Sequence, residues 1–223
     1  MKLALYAAIL LLGSTAPVFA EGFDGPFVQA GIGVANAQSD IDFTGWFRDK
    51  VSDRGLNGSV TVGYAHELGR FNLAASVSHV LAGQDGGTTV QDSPFEPGER
   101  DDTVTVQLHD VWTINLEPGV KTGPRGLLYA KLSYSRANAH WTFARPLYGD
   151  SFTGGMRFQG FGLGAGYKHA LSSHLYAFTE AQHTRYGKRD VPVTVTTDGR
   201  ASTYIDRFGA ASTLVTVGVG ARF

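Results

Sequence analysis

Apolar and polar residues alternate with a period of two along most of the chain after residue 20. In the last segment the apolar set and the small or polar set interleave: Val215, Val217, Val219, Ala221 and Phe223 against Thr216, Gly218, Gly220 and Arg222. The segment from Gly160 to Tyr167 has glycine at every second position. Successive side chains of a β-strand point to opposite faces, so this alternation predicts strands with one apolar face.

Eight segments of this kind predict an all-β, antiparallel, up-and-down arrangement of eight strands. The first strand has an apolar face running from Val28 to Val34. The fourth strand places six residues on one apolar face: Val104, Val106, Leu108, Trp112, Ile114 and Leu116. Asp110 interrupts that face, and the alternation gives no reason for it.

The links between the segments alternate between short and long. The short links are 67–70, 117–125 and 170–173, and the long links are 36–55, 83–102, 138–156 and 187–207. This rhythm is typical of a transmembrane β-barrel, which has short periplasmic turns at one rim and, here, four long extracellular loops at the other. Because every backbone group must be paired in hydrocarbon, the sheet must close, and the first strand should pair with the last.

The N-terminus predicts export. Lys2 precedes an apolar run from Leu3 to Leu12, and small residues lead to a cleavage site before Glu21. This is typical of a signal peptide, so we assign residues 1–20 to the signal and residues 21–223 to one barrel domain.

Composition narrows the function classes. The chain has no cysteine, so disulfides and cysteine-based metal sites are excluded. With 19 basic and 20 acidic residues it lacks the positive charge of a nucleic-acid-binding protein. After residue 20 it also lacks a run of about 18 apolar residues, so no transmembrane helix is expected.

Three motifs add a family resemblance: GFGLGAGY at 160–167, LYAFTEAQHTRY at 175–186, and the terminal VTVGVGARF. With the export signal and the loop rhythm, they resemble the OmpA-like and OmpX-like outer-membrane barrels, including the porin-family surface antigens of Gram-negative bacteria. The resemblance implies a place in the cell outer membrane, contact with its lipid and lipopolysaccharide, and no cofactor. It also implies that the barrel-assembly machinery reads Phe223 as a C-terminal assembly signal.

Four polar residues are candidates for a network inside the barrel. If Lys131 and Glu180 both point inward, they can form an ion pair with Gln107 and His109 as neutral neighbours. A buried charge needs a partner, so such a network is structural first. Gating of a narrow pore is the less favoured role.

Aromatic residues in the predicted loops are candidates for surface contacts: Trp46 and Phe47 in the first, Trp141 and Phe143 in the third. They can form either a contact surface for a host or cell-surface ligand or an interfacial belt. Trp141 is the better belt candidate and Trp46 the better ligand-contact candidate. In the fourth loop, Asp198 and Gly199 predict a hairpin turn that would extend the last two strands as a ribbon.

Enzymatic and metal functions are less favoured. His183 beside Thr184 and near Glu180 is the closest approach to a lipid A hydrolase, but the similar motif in lipid A deacylases has serine where this chain has Arg185. The acidic 83–102 loop matches no calcium loop, and we interpret it as a solvated loop without a metal. We therefore expect a non-enzymatic outer-membrane barrel that displays loops for surface interaction or envelope integrity, with a narrow diffusion channel as the alternative.

Overall fold

The computed structural model describes residues 22–43, 47–81, 83–92, 100–145, 149–197 and 200–223. The predicted signal peptide lies outside these residues. Within them the chain forms nine strands: β1 (Gly25–Phe43), β2 (Phe47–Leu68), β3 (Phe71–Val80), β4 (Gln84–Asp92), β5 (Arg100–Lys121), β6 (Gly126–Arg145), β7 (Asp150–Ala170), β8 (Leu175–Thr197) and β9 (Arg200–Arg222). Among these residues no helix is long and apolar enough to cross a membrane.

The strands close into an antiparallel ring, as the sequence predicts. β1 pairs with β9 from Phe27↔Arg222 to Phe43↔Asp206, which joins the first strand to the last. β3 pairs with β5, which completes the ring at the other side. The described chain has one strand more than predicted, because β4 lies inside the second predicted loop and pairs with β5 beyond the end of β3.

The predicted apolar faces point outward over the half of the barrel that carries the chain termini. Ile32 on β1, Phe161 on β7 and Val219 on β9 are 72%, 76% and 60% exposed. The alternate positions point into the lumen and are mostly small or polar, with Phe27, Tyr176 and Phe178 among the exceptions. The glycines on β7 leave space for the backbone of the neighbouring strand, because a Cβ on Gly160 would meet the backbone carbonyl of Arg185 on β8.

The predicted face of the fourth segment is wrong over half its length. Trp112 and the apolar residues after it are exposed, but Val104, Val106 and Leu108 are buried inside. The cause is a β-bulge: His109 pairs with Asn138, whereas Trp112 pairs with Arg136, so β5 has one extra residue here. One extra residue moves the following side chains to the other face. Asp110 sits in the bulge with a left-handed φ of 51°.

Most of each predicted long loop is strand. β1, β2 and β5 to β9 are 19 to 23 residues long, whereas a tilted strand crosses a membrane in about 9–11 residues. The exposed apolar band therefore occupies about half of each long strand. The other half extends past it, at the end far from the chain termini.

This extended half divides into two sheets. Pairing of β2 with β3 ends at Ser59↔Val80, and pairing of β7 with β8 ends at Gly160↔Tyr186. Beyond those points the neighbours are β2-β1-β9-β8 in one sheet and β7-β6-β5-β4 in the other. We call this two-sheet part the outer sandwich; it comprises the described parts of 35–58 and 187–211, and of 84–109 and 137–159.

Candidate functional site

Lys131 and Glu180 meet inside the barrel, from β6 and β8. The Lys131 Nζ donates to Glu180 Oε1 at 2.7 Å. The Tyr129 hydroxyl donates to the other carboxylate oxygen of Glu180 at 2.8 Å. Because Lys131 is buried, its ammonium loses its contacts with water, and the Glu180 carboxylate compensates its charge.

A second lumen ion pair was missed by the sequence analysis. Lys168 Nζ on β7 donates to Glu117 Oε2 at 2.8 Å, and the Ser76 hydroxyl donates to the other oxygen of Glu117 at 3.0 Å. The Lys168 ammonium also lies 4.8 and 4.7 Å from the ring centroids of Phe27 and Tyr129. The signal was present: Glu117 continues the inward polar positions of its strand, but it was assigned to a turn.

Hydroxyl and amide side chains fill the lumen between the charges. Thr61 and Ser78 lie 2.8 Å apart, and Asn115 donates to Ser78 at 2.9 Å. On the opposite wall, Gln182 donates to Ser133 at 2.9 Å. These bonds cross between strands and hold the interior in one arrangement.

Apolar clusters lie at both ends of this polar layer. Toward the termini, Phe23, Leu127, Ala170, Tyr176 and Phe178 form a buried cluster. Inside the outer sandwich, a larger cluster joins the two sheets: Ile41, Val51, Val80, Val104, Val106, Leu108, Val111, Ala137, Ala139, Phe158, Tyr186, Phe208 and Ala210. Between the clusters is a cavity of about 50 Å³ that Lys131 and Glu180 help to line. A cavity of that size holds a few water molecules at about 10–15 Å³ each.

The other two predicted network members do not point inward. Gln107 and His109 are exposed, and the inward positions beside them are Val106 and Leu108. The bulge in β5 is the reason, since without it these residues would share the lumen face with Thr113. The prediction that they join the network is therefore wrong.

Two aromatic residues predicted to lie in a surface loop instead point toward the interior. Trp141 and Phe143 lie in β6, half-buried against the cluster of the outer sandwich. The Trp141 ring stacks on Phe208 with centroids 6.4 Å apart. Neither is a loop residue, because β6 extends to Arg145. Trp46 and the side chain of Phe47 lie outside the described residues.

Phe223 follows β9 at the rim, where its amide donates to the Pro26 carbonyl at 3.0 Å. Its side chain is exposed. The role of Phe223 as an assembly signal stays a prediction.

The outer wall does not assemble the residues of the hydrolase alternative. His183 is exposed on β8, with its Nδ1 2.8 Å from the Thr213 hydroxyl. Glu180 points into the lumen, on the opposite side of the wall, where it bonds Lys131. Their spacing of three residues puts them on opposite faces of a strand.

The comparisons agree with this architecture. The family model described as "Outer membrane protein beta-barrel domain" matches residues 6–223. No curated protein matches the sequence closely enough to count as a relative. The outer membrane protein OprG from Pseudomonas aeruginosa is 14% identical, with a TM-score of 0.54 over 91% of this chain and 98% of that one. The outer membrane protease OmpT from Escherichia coli is 9% identical, with a TM-score of 0.54 over 93% and 99%. At these identities the likeness shows the fold alone.

Proposed function

Because the chain belongs to the outer membrane protein β-barrel family, we propose that it is a non-enzymatic surface protein whose outer sandwich binds ligands outside the cell. The observation that carries this proposal is the length of the strands, which continue about as far beyond the exposed apolar band as within it. The band spans the outer membrane, and the outer sandwich projects from it.

The outward face of the outer sandwich suits water. Beyond Val34 the outward positions of β1 are Asn36, Gln38, Asp40 and Asp42, while the inward positions are apolar except for Ser39. On β6 the outward positions beyond Tyr134 are likewise polar, from Arg136 to Thr142. The change from an outward to an inward apolar face fits a change of surroundings from lipid to water.

Strand edges are the feature of the outer sandwich best suited to binding. Four segments have a ladder partner on one side only within the described residues: 47–58, 84–92, 150–159 and 187–197. Gly87 on β4 lies against Val51 and Ser52 on β2, so the first two edges face each other and the candidates are 150–159 and 187–197. Unpaired edges offer main-chain donors and acceptors to an added strand. Trp46 and the side chain of Phe47 lie outside the described residues, and both residues remain candidate ligand contacts.

The interior favours display over diffusion. Two buried ion pairs cross the lumen, and apolar clusters lie beyond them at both ends. In the described part of the chain the closed ring, which excludes β4, has eight strands. The interior of an eight-stranded barrel is narrow enough for side chains to fill it. We therefore expect wild-type protein in planar bilayers to give no steady conductance.

The test shortens one ribbon and leaves the barrel intact. Residues 191–206 are replaced by Asn-Gly, which joins Asp190 to its strand partner Arg207 through a two-residue turn. Arg207 Nε and Nη2 donate to the two carboxylate oxygens of Asp190 at 2.6 and 3.2 Å, and these hydrogen bonds lower the pKa of Asp190.

Adherence of bacteria that display either form is measured on epithelial monolayers and in autoaggregation. We expect binding by wild type and a loss in the shortened form, with heat-modifiable gel mobility retained in both. Wild-type cells that bind no better than cells without the protein would contradict the proposal. If deletion instead makes cells sensitive to detergent while adherence is unchanged, the role is envelope integrity.

A further inference from the structure

Three arginines lie together on the outward face of neighbouring strands. Arg136 on β6, Arg157 on β7 and Arg185 on β8 are all exposed. Arg136 pairs with Gln159, two residues from Arg157, and Arg185 pairs with Phe161, two residues to the other side. Strands about 4.8 Å apart with a rise of about 3.4 Å per residue put the Cα atoms of Arg136 and Arg185 about 12 Å apart, and those of Arg157 and Arg185 about 14 Å apart. Long arginine side chains can reach inward from these positions toward one small anion.

Within the described residues, no carboxylate compensates the charge of these three side chains. None of them forms an ion pair with a carboxylate in the part of the chain that the structure describes. Elsewhere on the outer sandwich the pattern differs, since Arg207 pairs with Asp190 at 2.6 Å and Lys50 with Asp40 at 3.7 Å. Asp110, on the strand next to Arg136, already accepts hydrogen bonds from Trp112 and Asn138 at 3.0 Å each.

A fourth guanidinium adds to the positive charge. Arg189 Nε on β8 donates to the backbone carbonyl of Arg157 at 3.2 Å. This bond bridges β7 and β8 above the point where their ladder ends. It holds the backbone of Arg157 beside a second cation.

The position of the arginines along the barrel axis places them relative to the membrane. Tyr134 and Phe161 are exposed apolar residues of the membrane band, 38% and 76% accessible. Arg136 lies two residues beyond Tyr134, and Arg185 lies directly across from Phe161. The three guanidiniums are therefore at the edge of the hydrocarbon, at the level of lipid headgroups.

We propose that Arg136, Arg157 and Arg185 form a binding site for a phosphate group of lipid A, the membrane anchor of lipopolysaccharide. Guanidinium groups bind phosphate oxygens through paired, charge-assisted hydrogen bonds. The exposed apolar surface directly below the site receives the acyl chains of the same lipid. The proposal does not rest on ligand binding by the strand edges, although Arg157 belongs to the 150–159 segment.

The experiment measures lipid binding to the folded barrel in detergent by native mass spectrometry. The test variant is R136Q/R157Q/R185Q. The matched control is K50Q/R54Q/R207Q, which removes the same number of positive charges from β2 and β9. Both variants must keep heat-modifiable mobility, which shows that the barrel has formed. The probes are bisphosphorylated lipid A, fully dephosphorylated lipid A, and inorganic phosphate as competitor.

We expect the test variant to bind bisphosphorylated lipid A at least about tenfold more weakly, because its charge-assisted hydrogen bonds to the phosphate are lost, while the control binds as wild type. Dephosphorylated lipid A should bind wild type as weakly as lipid A binds the test variant. Equal binding of both lipids, or an equal loss in the control, would overturn the proposal. Complete competition by millimolar phosphate would also overturn it, because the site would then recognise the free anion without the lipid.

Discussion

Removing one charge of the Lys168–Glu117 pair should destabilise the barrel more than removing both. The two side chains are 4% and 2% exposed and lie 2.8 Å apart. Removing one partner of a buried pair costs about 3–5 kcal/mol, because the other charge stays buried without compensation. We therefore expect K168M to lower the free energy of unfolding by about 3–5 kcal/mol.

The double variant K168M/E117L should recover most of that loss. Replacing a buried pair by apolar residues of similar volume is often neutral. The remaining cost is the Ser76 hydroxyl, which loses its acceptor in Glu117, a net loss of about 1 kcal/mol. The coupling between the two substitutions should therefore exceed about 2 kcal/mol.

The assay is urea unfolding of the barrel in lipid vesicles, followed by tryptophan fluorescence and gel mobility. The control is K188M, which removes an exposed lysine and should change stability by less than about 0.5 kcal/mol. If K168M stays within about 1 kcal/mol of wild type, or if the two single losses add in the double variant, the pair is not the buried interaction that the geometry indicates.

Three further predictions use the same assay or proteolysis. D110N should change the free energy of unfolding by less than about 0.5 kcal/mol. D110V should lower it by about 2 kcal/mol or more, because a β-branched residue disfavours the left-handed backbone of the bulge. Similar values for the two variants would contradict this reason. G160A should cost about 1–3 kcal/mol by pushing its Cβ against the Arg185 carbonyl, while G155A, whose nearest neighbour is 3.7 Å away, should be tolerated. F158A, which empties a position only 1% exposed, should speed protease cleavage in the outer sandwich while the heat-modifiable barrel persists; unchanged cleavage would show that the cluster does not hold the sheets together.

The membrane half of the fold was predictable because its signal is local. Alternation over ten residues, tight turns between segments and a glycine-rich inner face all follow from one strand in lipid. The closure of β1 on β9 then follows from backbone pairing, with no specific residue needed. The division between β3 and β4 was not predictable, because β4 contains Gly86, Gly87 and polar residues that also fit a solvated loop.

The lumen charges were half predictable. Lys131 and Glu180 lie inside alternating segments, so their faces followed from their neighbours. Glu117 was hidden by a turn assigned too early, although the ladder of β5 continues to Lys121. Gln107 and His109 were misplaced by the bulge, which depends on cross-strand register and leaves no mark in the spacing of residues along the chain.

The apolar face of most long strands changes side between the membrane and the outer sandwich. On β1, β6, β7 and β9 the apolar positions change parity along the sequence, for example from Leu132 and Tyr134 facing out to Ala137 and Ala139 facing in. Such a change marks the level where lipid gives way to water, since an apolar face must point outward in lipid and inward in water.

On β5 the apolar positions keep one parity from Val104 to Leu116 except at Asp110 and Val111, which lie in the bulge. The extra residue between His109 and Trp112 makes the change instead, by turning the strand over. Much of the sequence predicted as long loops is therefore strand of the outer sandwich. A switch of parity within an alternating segment indicates a strand leaving the membrane, not a strand that has ended.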